Sequence, residues 1–520
     1  RSAMQEGSSA GPASGASQST AQLNDDSLKE RKAAVHVEGR RGPPPQSQGP
    51  NESEKAFCAY YQQQLGLSSE DFAHFHAKLA EPLPVTFRMV GALRQGSTTQ
   101  EADRFHSQLM AVRQQAEQAS QEDGTEATPK AGGATEISQG VQSGTDGGSS
   151  NRGVRRLEWY PRSAAWQLEV PKRELRNAVN KSVQDFLIRE VSVGSIVRME
   201  LVSMLPALIL GARPGELVLD MCAAPGSKTG QLLEMVLPDA AGGEAGGGLG
   251  GGAVVANDPD VKRSRMMIHR TKSLCSPSLL VTALPGQTFP LLYTDEKPLP
   301  FDRILCDVPC SGDGTIRKSV FMLKKWQNSH ALQNHLLQVS LLKRALQLLR
   351  VGGHVVYSTC SLNPVENEAV VAEVVAQAQA EGAETPDGVP AVEILKAPRE
   401  IADQIKWRAG LRTWKVPGMS EIGVLYDTFD SIPEGRSLKS RTKSDYSKRG
   451  LLRSMFPPAP GRVKGLGLEE CMRVLPQDQD TGAFFICLLR KNAPLPSDLE
   501  NVAEGGPAET ARVSGGGEEE

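Results

Sequence analysis

With 520 residues, 39% of them hydrophobic, the chain has material for more than one core, yet 51 Gly and 34 Pro keep much of it outside packed elements. Its 58 basic and 61 acidic residues leave a formal charge of −3, which excludes a globally basic surface and makes any polyanion contact a local one. Eight Cys at irregular spacing read as reduced thiols rather than a disulfide framework, and no apolar run has the length of a membrane span or the character of a signal-peptide core.

Residues 1–50 are Ser, Gly, Ala, Gln and Pro with few large apolar side chains, a composition expected to stay disordered. Residues 51–112 are expected to form a small N-terminal flanking unit, because Phe57, Tyr60, Tyr61, Phe72 and Phe75 recur near helical spacing before PLPVTFRM runs extended. Residues 113–152 read as a disordered linker. The main domain is expected over 153–491, opening on EWYPRSAAWQLEVPKRELR. There Trp159, Tyr160 and Trp166 interleave with Arg156, Arg162, Lys172, Arg173 and Arg176. The pattern suits stacked bases and phosphates, and equally suits ordinary packing under a solvated basic face.

From Glu216 onward strand and helix patterns alternate. Strands are expected at Leu217–Met221, Ala253–Asn257, Leu279–Thr282, Asp302–Cys306 and Val355–Thr359, with helices after the first two and a long amphipathic helix through Leu332 to Leu349. Gly352 and Gly353 are read as stopping that helix, and Asn363, Pro364, Glu366 and Glu368 as starting the next. Such alternation predicts an α/β fold with a doubly wound, mostly parallel sheet. A Gly-rich insertion at 241–252 and an irregular one at 380–466, carrying the basic run Arg436 to Arg449, interrupt it. A final strand is expected at FFICLL, and 492–520 reads as a disordered tail.

Chemistry concentrates at strand ends. FDRILCDVPCSGDGTIRK (Phe301–Lys318) leaves Asp307 and Cys310 at one strand terminus, and HVVYSTC leaves Cys360 at another, where open α/β sheets place their ligands. The turn DMCAAPGSKT follows a strand and opens a helix. Its small residues and free N–H groups, over Cys222, Ala223, Ala224, Pro225, Gly226, Ser227 and Lys228, suit an anionic group such as a carboxylate. It lacks both GxGxxG and the Gly-Lys pair of a phosphate loop. Asp258, at the end of the next strand, is placed to accept hydrogen bonds from ribose hydroxyls, unless it merely caps a helix or turn. A nucleoside carrying an amino-acid carboxylate meets both demands, and S-adenosylmethionine is such a molecule. Two thiols fit methylation of a pyrimidine carbon: one adds to carbon-6 so that carbon-5 becomes nucleophilic, while Asp307 faces the ring. Burial or zinc ligation is the competing reading of the thiols, and no His or Cys pair has zinc-finger spacing.

Together DMCAAPGSKT, ANDPDVKR, RILCDVPCSGDGTIRK, VVYSTCSLNPVENEAVV and CMRVLPQDQDTGAFFICLLRK resemble the Nop/Sun (RsmB-type) family of RNA cytosine-5 methyltransferases, and most of all its eukaryotic tRNA branch. The resemblance implies a Rossmann-like S-adenosylmethionine-dependent methyltransferase fold acting on RNA, with tRNA the expected substrate and rRNA or mRNA the alternatives. It assigns the nucleophile to Cys360, product release to Cys310 and base contact to Asp307. Cofactor contacts fall to Cys222–Lys228, Asp258 and Asp307. A monomer in the nucleus, without metal or membrane, is the accompanying expectation. One departure stands out: Leu284 and Pro285 occupy the place of an acid that the family sets near the adenine. Loss of that hydrogen bond would weaken cofactor binding by about 1–2 kcal/mol. It also motivates the alternative of an RNA-binding or assembly factor with little turnover.

Overall fold

A computed structural model describes residues 51–122, 153–171, 174–176, 180–238, 251–295, 297–381, 387–418, 423–433, 450–459 and 465–496. The expected disorder at 1–50, most of the linker to 152 and of the Gly-rich insertion, and the basic run 436–449 lie outside these residues; of the tail expected at 492–520 only 492–496 is described, and there Ala493 and Leu495 are buried.

Helices α1 (Glu52–Gln64) and α2 (Ser69–Ala80) turn the N-terminal aromatics to one side. The Ser68 hydroxyl accepts from the Asp71 N–H at 3.0 Å and so starts α2. Phe57 and Tyr61 then pack on Trp326, with ring centroids 5.4 and 5.7 Å away, so these helices rest on the segment that follows Cys310. Next come β1 (Pro84–Met89) and α3 (Thr99–Glu122). The latter continues into the stretch read as linker, because RQQAEQASQE is built of strong helix formers and the Gly-rich composition begins only beyond it. Strands β2 (Val154–Arg156), β3 (Ala165–Pro171) and, after α4 (Lys181–Val193), β4 (Ile196–Arg198) complete an antiparallel sheet in the order β2-β3-β1-β4. Tyr160 and Trp166 are fully buried, and Phe87 stacks on Trp166 at 5.7 Å. Both rings are therefore core, with no face open to a base, and the packing reading holds for them.

After α5 (Leu205–Leu210) the chain alternates through β5 (Leu217–Asp220), α6 (Ser227–Val236), β6 (Ala253–Asn257), α7 (Val261–Thr271) and β7 (Leu279–Thr282). A hairpin of β8 (Leu292–Thr294) and β9 (Lys297–Leu299) leads to β10 (Phe301–Asp307), α8 (Asn328–Leu348), β11 (Leu349–Thr359) and α9 (Glu368–Glu381). The remaining strands are β12 (Val392–Leu395), β13 (Arg408–Ala409), a small β14 (Val416–Pro417) and β15 (Leu425–Tyr426) pair, β16 (Met472–Val474) and β17 (Phe484–Lys491).

The large sheet runs β7-β6-β5-β10-β11-β17-β16-β13, with β12 also on β17. Strands β7 through β11 are parallel, and β17 closes antiparallel on β11. Neighbouring residues on these strands face opposite layers. Val218, Leu305 and Val356 pack with α5 and α6, whereas Leu219, Ile304, Val355 and Tyr357 pack with α8 and α9. Burial on both faces explains why the strands are apolar runs rather than alternating ones. Strand order reverses between β5 and β10, and at such a switch point the carboxyl ends of adjacent strands open a crevice.

Two expected boundaries move. Gly352, at φ +78°, does not end α8, which stops at Leu348; it lies within β11, where four residues, 350–353, stand against the single Asp302 of β10 as the pairing shifts from Leu349 to His354. The left-handed glycine bends the strand there. Asn363 caps a turn, its side chain accepting from the Val365 N–H at 3.0 Å, and α9 begins at Glu368.

Candidate active site

Four loops meet at the carboxyl ends of β5, β6, β10 and β11. The cofactor-loop candidate, residues 222–228, leaves β5 and enters α6 through Gly226 at φ +95°. A β-carbon there would stand 2.9 Å from Met267 Cγ, so the position demands glycine for conformation and for space. Being glycine, it provides no side-chain cap to the first turn of α6. The loop is pinned to β6 by the Ala223 N–H on the Asn257 carbonyl at 2.8 Å. Arg263 bridges it to Asp258, with Nη2 2.9 Å from the Ala224 carbonyl and 3.3 Å from Asp258 Oδ2.

Asp258 is 1% exposed, and its Oδ2 has no hydrogen-bond partner, only that ion pair. The cap of α7 is Asp260, which takes the Lys262 and Arg263 N–H groups. Asp258 is thus not the helix cap: its Oδ1 takes the Asp260 N–H at 3.1 Å within the turn, while its Oδ2 is a buried acceptor with no hydrogen bond. An uncapped helix start beside such an acceptor fits a ligand bearing a carboxylate and a ribose diol. Leu284 and Pro285 are exposed in the loop after β7, held by Asn257 through Nδ2 to the Leu284 carbonyl at 2.9 Å and Oδ1 from the Leu284 N–H at 3.0 Å.

On the neighbouring strands the two sulfurs come together: Cys310 Sγ and Cys360 Sγ are 3.4 Å apart, both half-buried. The hydrogen bond between them, and then burial, push the Cys310 thiol well above its ordinary value, which keeps it a neutral donor. Asp307 is tied on both oxygens, to Lys228 Nζ at 2.6 Å and to the Ser358 hydroxyl at 2.8 Å, and so joins the start of α6 to β10 and β11. Cys306 is buried against Met221 Sδ at 3.6 Å, a packing thiol.

Several organising residues carry no motif of their own in the sequence. Glu366, fully buried, accepts from the Ser311 N–H at 2.8 Å, the Ser311 hydroxyl at 2.5 Å, Asn334 at 3.0 Å and Gln338 at 3.1 Å, and so fixes the turn after Cys310. Burial raises its carboxyl above the ordinary value, as does the charge of Asp313, while the Ser311 donor opposes both. Asp313 takes the Leu362 N–H at 2.7 Å, the Trp326 indole at 3.3 Å and the Tyr61 hydroxyl. Lys318 pairs with Glu200. Burial alone would lower its ammonium, but Glu200 and the fields of Cys360 and Asp307 raise it. The sequence signal for Glu366 and Asp313 is their nearness to the thiols, at Cys360+6 and Cys310+3 respectively.

Residues 207–396 match the family described as 16S rRNA methyltransferase RsmB/F. They form an RsmB/F methyltransferase domain. The cofactor-loop candidates, Asp258, Asp307, Cys310 and Cys360 all fall within this RsmB/F domain. A Drosophila melanogaster protein named tRNA (cytosine(34)-C(5))-methyltransferase is 35% identical over 461 residues, 86% of this chain and 54% of its own length. A Saccharomyces cerevisiae protein named multisite-specific tRNA:(cytosine-C(5))-methyltransferase is 41% identical over 342 residues, 64% of this chain and 44% of its own. A Schizosaccharomyces pombe protein of similar name is 39% identical over 360 residues, 66% of this chain and 49% of its own. The chain thus spans about half the length of these relatives, and the likeness extends well beyond the RsmB/F domain.

Proposed function

We propose that this chain methylates carbon-5 of cytosine in RNA, tRNA foremost, through a covalent bond from Cys360 to the pyrimidine. The observation that carries the reading is the 3.4 Å approach of Cys310 and Cys360 beside the Lys228–Asp307 pair, within a domain of a methyltransferase family. Names of tRNA cytosine-C5 methyltransferases among the relatives favour the substrate.

In this reading Cys360 Sγ, as thiolate, adds to carbon-6 and moves the ring's electron pair onto carbon-5. Asp307, steadied by Lys228 and Ser358, faces the ring. S-adenosylmethionine, when bound to the 222–228 loop and Asp258, supplies the methyl group as a sulfonium. Carbon-5 then loses its proton to a base, the carbon–sulfur bond breaks, and Cys360 leaves as thiolate. The neutral Cys310 thiol, already hydrogen-bonded to that sulfur, assists its departure. Phe321 supports an RNA substrate: it is 59% exposed just beyond this turn, with Lys325 Nζ 4.7 Å from the ring centroid, which suits base stacking.

The test is methyl transfer to total tRNA from labelled S-adenosylmethionine, with two variants. Cys310→Ala is expected to accumulate a denaturant-resistant protein–RNA complex, because attack proceeds while release stalls. Cys360→Ala is expected to give neither complex nor product. A wild type without transfer and a Cys310→Ala protein without complex would turn the reading to an RNA-binding factor on the same fold.

A further inference from the structure

Behind the 222–228 loop lies a cavity of about 560 Å³ between α6, the last turn of α7, and the β1, β4 and α4 segments. Its lining includes Pro225, Gly226 and Ser227 of that loop, but not Cys222, Ala223, Asp258 or Asp307, so it is not the space lined by the two acids. Four of its lining residues are permanent cations, Arg88, Arg198, Arg270 and Lys272, and His269 joins them; none is acidic. A larger cavity of about 690 Å³ elsewhere mixes Glu158 and Glu400 with Arg162 and Arg213, so an all-cationic lining is not simply what a cavity in this protein has.

The blandest account of these charges is helix electrostatics. His269 and Arg270 end α7, where cations offset the carbonyl end of the helix dipole. That covers neither Arg198, which comes from β4, nor Arg88 from β1. Arg198, Arg270 and Lys272 are exposed and form no ion pair with any described residue. Arg88 is 1% exposed and paired through Nη1 with Glu234 at 2.7 Å, while its Nε has no partner. An unspent buried donor, three unpaired exposed cations and the first turn of α6 thus converge on one concavity. Bringing such charges together in a folded protein is repulsive unless an anion completes the arrangement.

We infer that this cavity binds backbone phosphates of the RNA strand whose base enters the thiol site, with Arg198, Arg270 and Lys272 as the contacts. The inference rests on the RNA reading above. The cavity is larger than one phosphate, opens to solvent through exposed residues, and shares the 225–227 backbone with the loop whose Lys228 reaches Asp307. A polynucleotide crossing from there to the sulfurs meets both surfaces; a free mononucleotide meets one. Contacts of this type fix position without reading sequence.

The experiment measures binding of a fluorescein-labelled tRNA transcript by anisotropy across a series of KCl concentrations. It compares wild type with Arg198→Gln, Arg270→Gln, Lys272→Gln and the triple variant, and with Lys297→Gln, an exposed lysine on β9, as the control. Loss of one phosphate contact is expected to weaken binding severalfold and to flatten the log–log salt slope by about 1. The triple variant should flatten it by roughly 2–3. In methyl-transfer assays the variants should raise KM for RNA and leave kcat at saturation. Unfolding midpoints equal to wild type exclude a folding artefact. Salt slopes equal to wild type, or an equal loss in Lys297→Gln, overturn the inference while leaving the RNA reading intact. Failure of wild type to bind RNA even at low salt overturns both. Protection of wild type, but not the triple variant, by inorganic phosphate alone, with RNA affinity unchanged between them, would assign the cavity to free phosphate and overturn the polynucleotide.

Discussion

Asp220 is a buried carboxyl held out of water at the end of β5, with one oxygen on the Thr229 hydroxyl at 2.7 Å and the other without a partner. Burial pushes it up to about 7, against the pull of Thr229 and Lys228. Its pKa in the folded chain is thus above that of the unfolded chain. Its contribution to stability is present in full below about pH 4 and is lost as pH rises through about 7. The loss amounts to something on the order of 4 kcal/mol at alkaline pH. Asp220→Asn keeps the acceptor for Thr229 and removes the titration. Thermal unfolding from pH 5 to pH 9 should show the variant gaining on wild type as the pH rises. A difference that stays flat across that range would show that Asp220 titrates normally. The residue shows how chemistry-bearing side chains divide. Cys310, Cys360 and the 222–228 loop were legible because their spacing has little other use. Asp220, Glu366 and Lys318 were not, since a carboxyl or ammonium near a motif looks the same in sequence whether it is buried or solvated.

At the scale of elements, β5, β6, β7 and β10 were legible to within a residue, because fully buried parallel strands leave unbroken apolar runs, whereas β11 begins at Leu349 and not at the expected Val355. Glycines were harder. Gly352 reads as a helix stop in the sequence and turns out to bend a strand. Gly314 stands in an Asp-Gly pair that signals a turn and nothing of its partners, yet its N–H donates to the Cys360 carbonyl at 3.0 Å and its carbonyl accepts from Ala483 N–H at 3.0 Å. It therefore stitches the turn after β10 to the ends of β11 and β17. A β-carbon at Gly314 would lie 2.7 Å from the Cys360 carbonyl oxygen and 2.9 Å from Ala483 Cβ, contacts that only backbone movement relieves. Gly314→Ala is expected to lose about 1–3 kcal/mol in urea unfolding, as overpacking does, and to displace Cys360. Its yield of denaturant-resistant RNA complex in the Cys310→Ala background should then fall by more than the stability loss accounts for. Retention of full stability and full adduct yield would mean the turn can shift freely.

Over the whole molecule, the N-terminal helices hold the site from above. The aromatic helices were legible in their spacing but their docking was not, because a contact across 252 positions leaves no local trace. Tyr61 donates to Asp313, Tyr60 to Asn363 at 3.0 Å, and the buried Arg317 reaches the Glu81 carbonyl at 3.0 Å, the Pro82 carbonyl at 3.2 Å and Asp480 at 2.7 Å. The first helices, the turn after Cys310 and the segment before β17 thus share one buried polar network. Such networks fix a unique arrangement only when every member is satisfied. Tyr61→Phe keeps the ring against Trp326 and deletes one donor to a buried carboxyl, a loss of about 1–3 kcal/mol. Because Asp313 also receives the Leu362 N–H, the effect should spread to both thiol loops rather than stay with α1. Amide exchange is expected to quicken at 311–326 and at 361–363, with β6 and β7 unchanged. Faster exchange confined to α1 would mean that the N-terminal helices only cover the site. If the network orders the site, Tyr61→Phe should also slow adduct formation at saturating RNA while leaving RNA affinity within about twofold, a ΔΔG of about 0.4 kcal/mol.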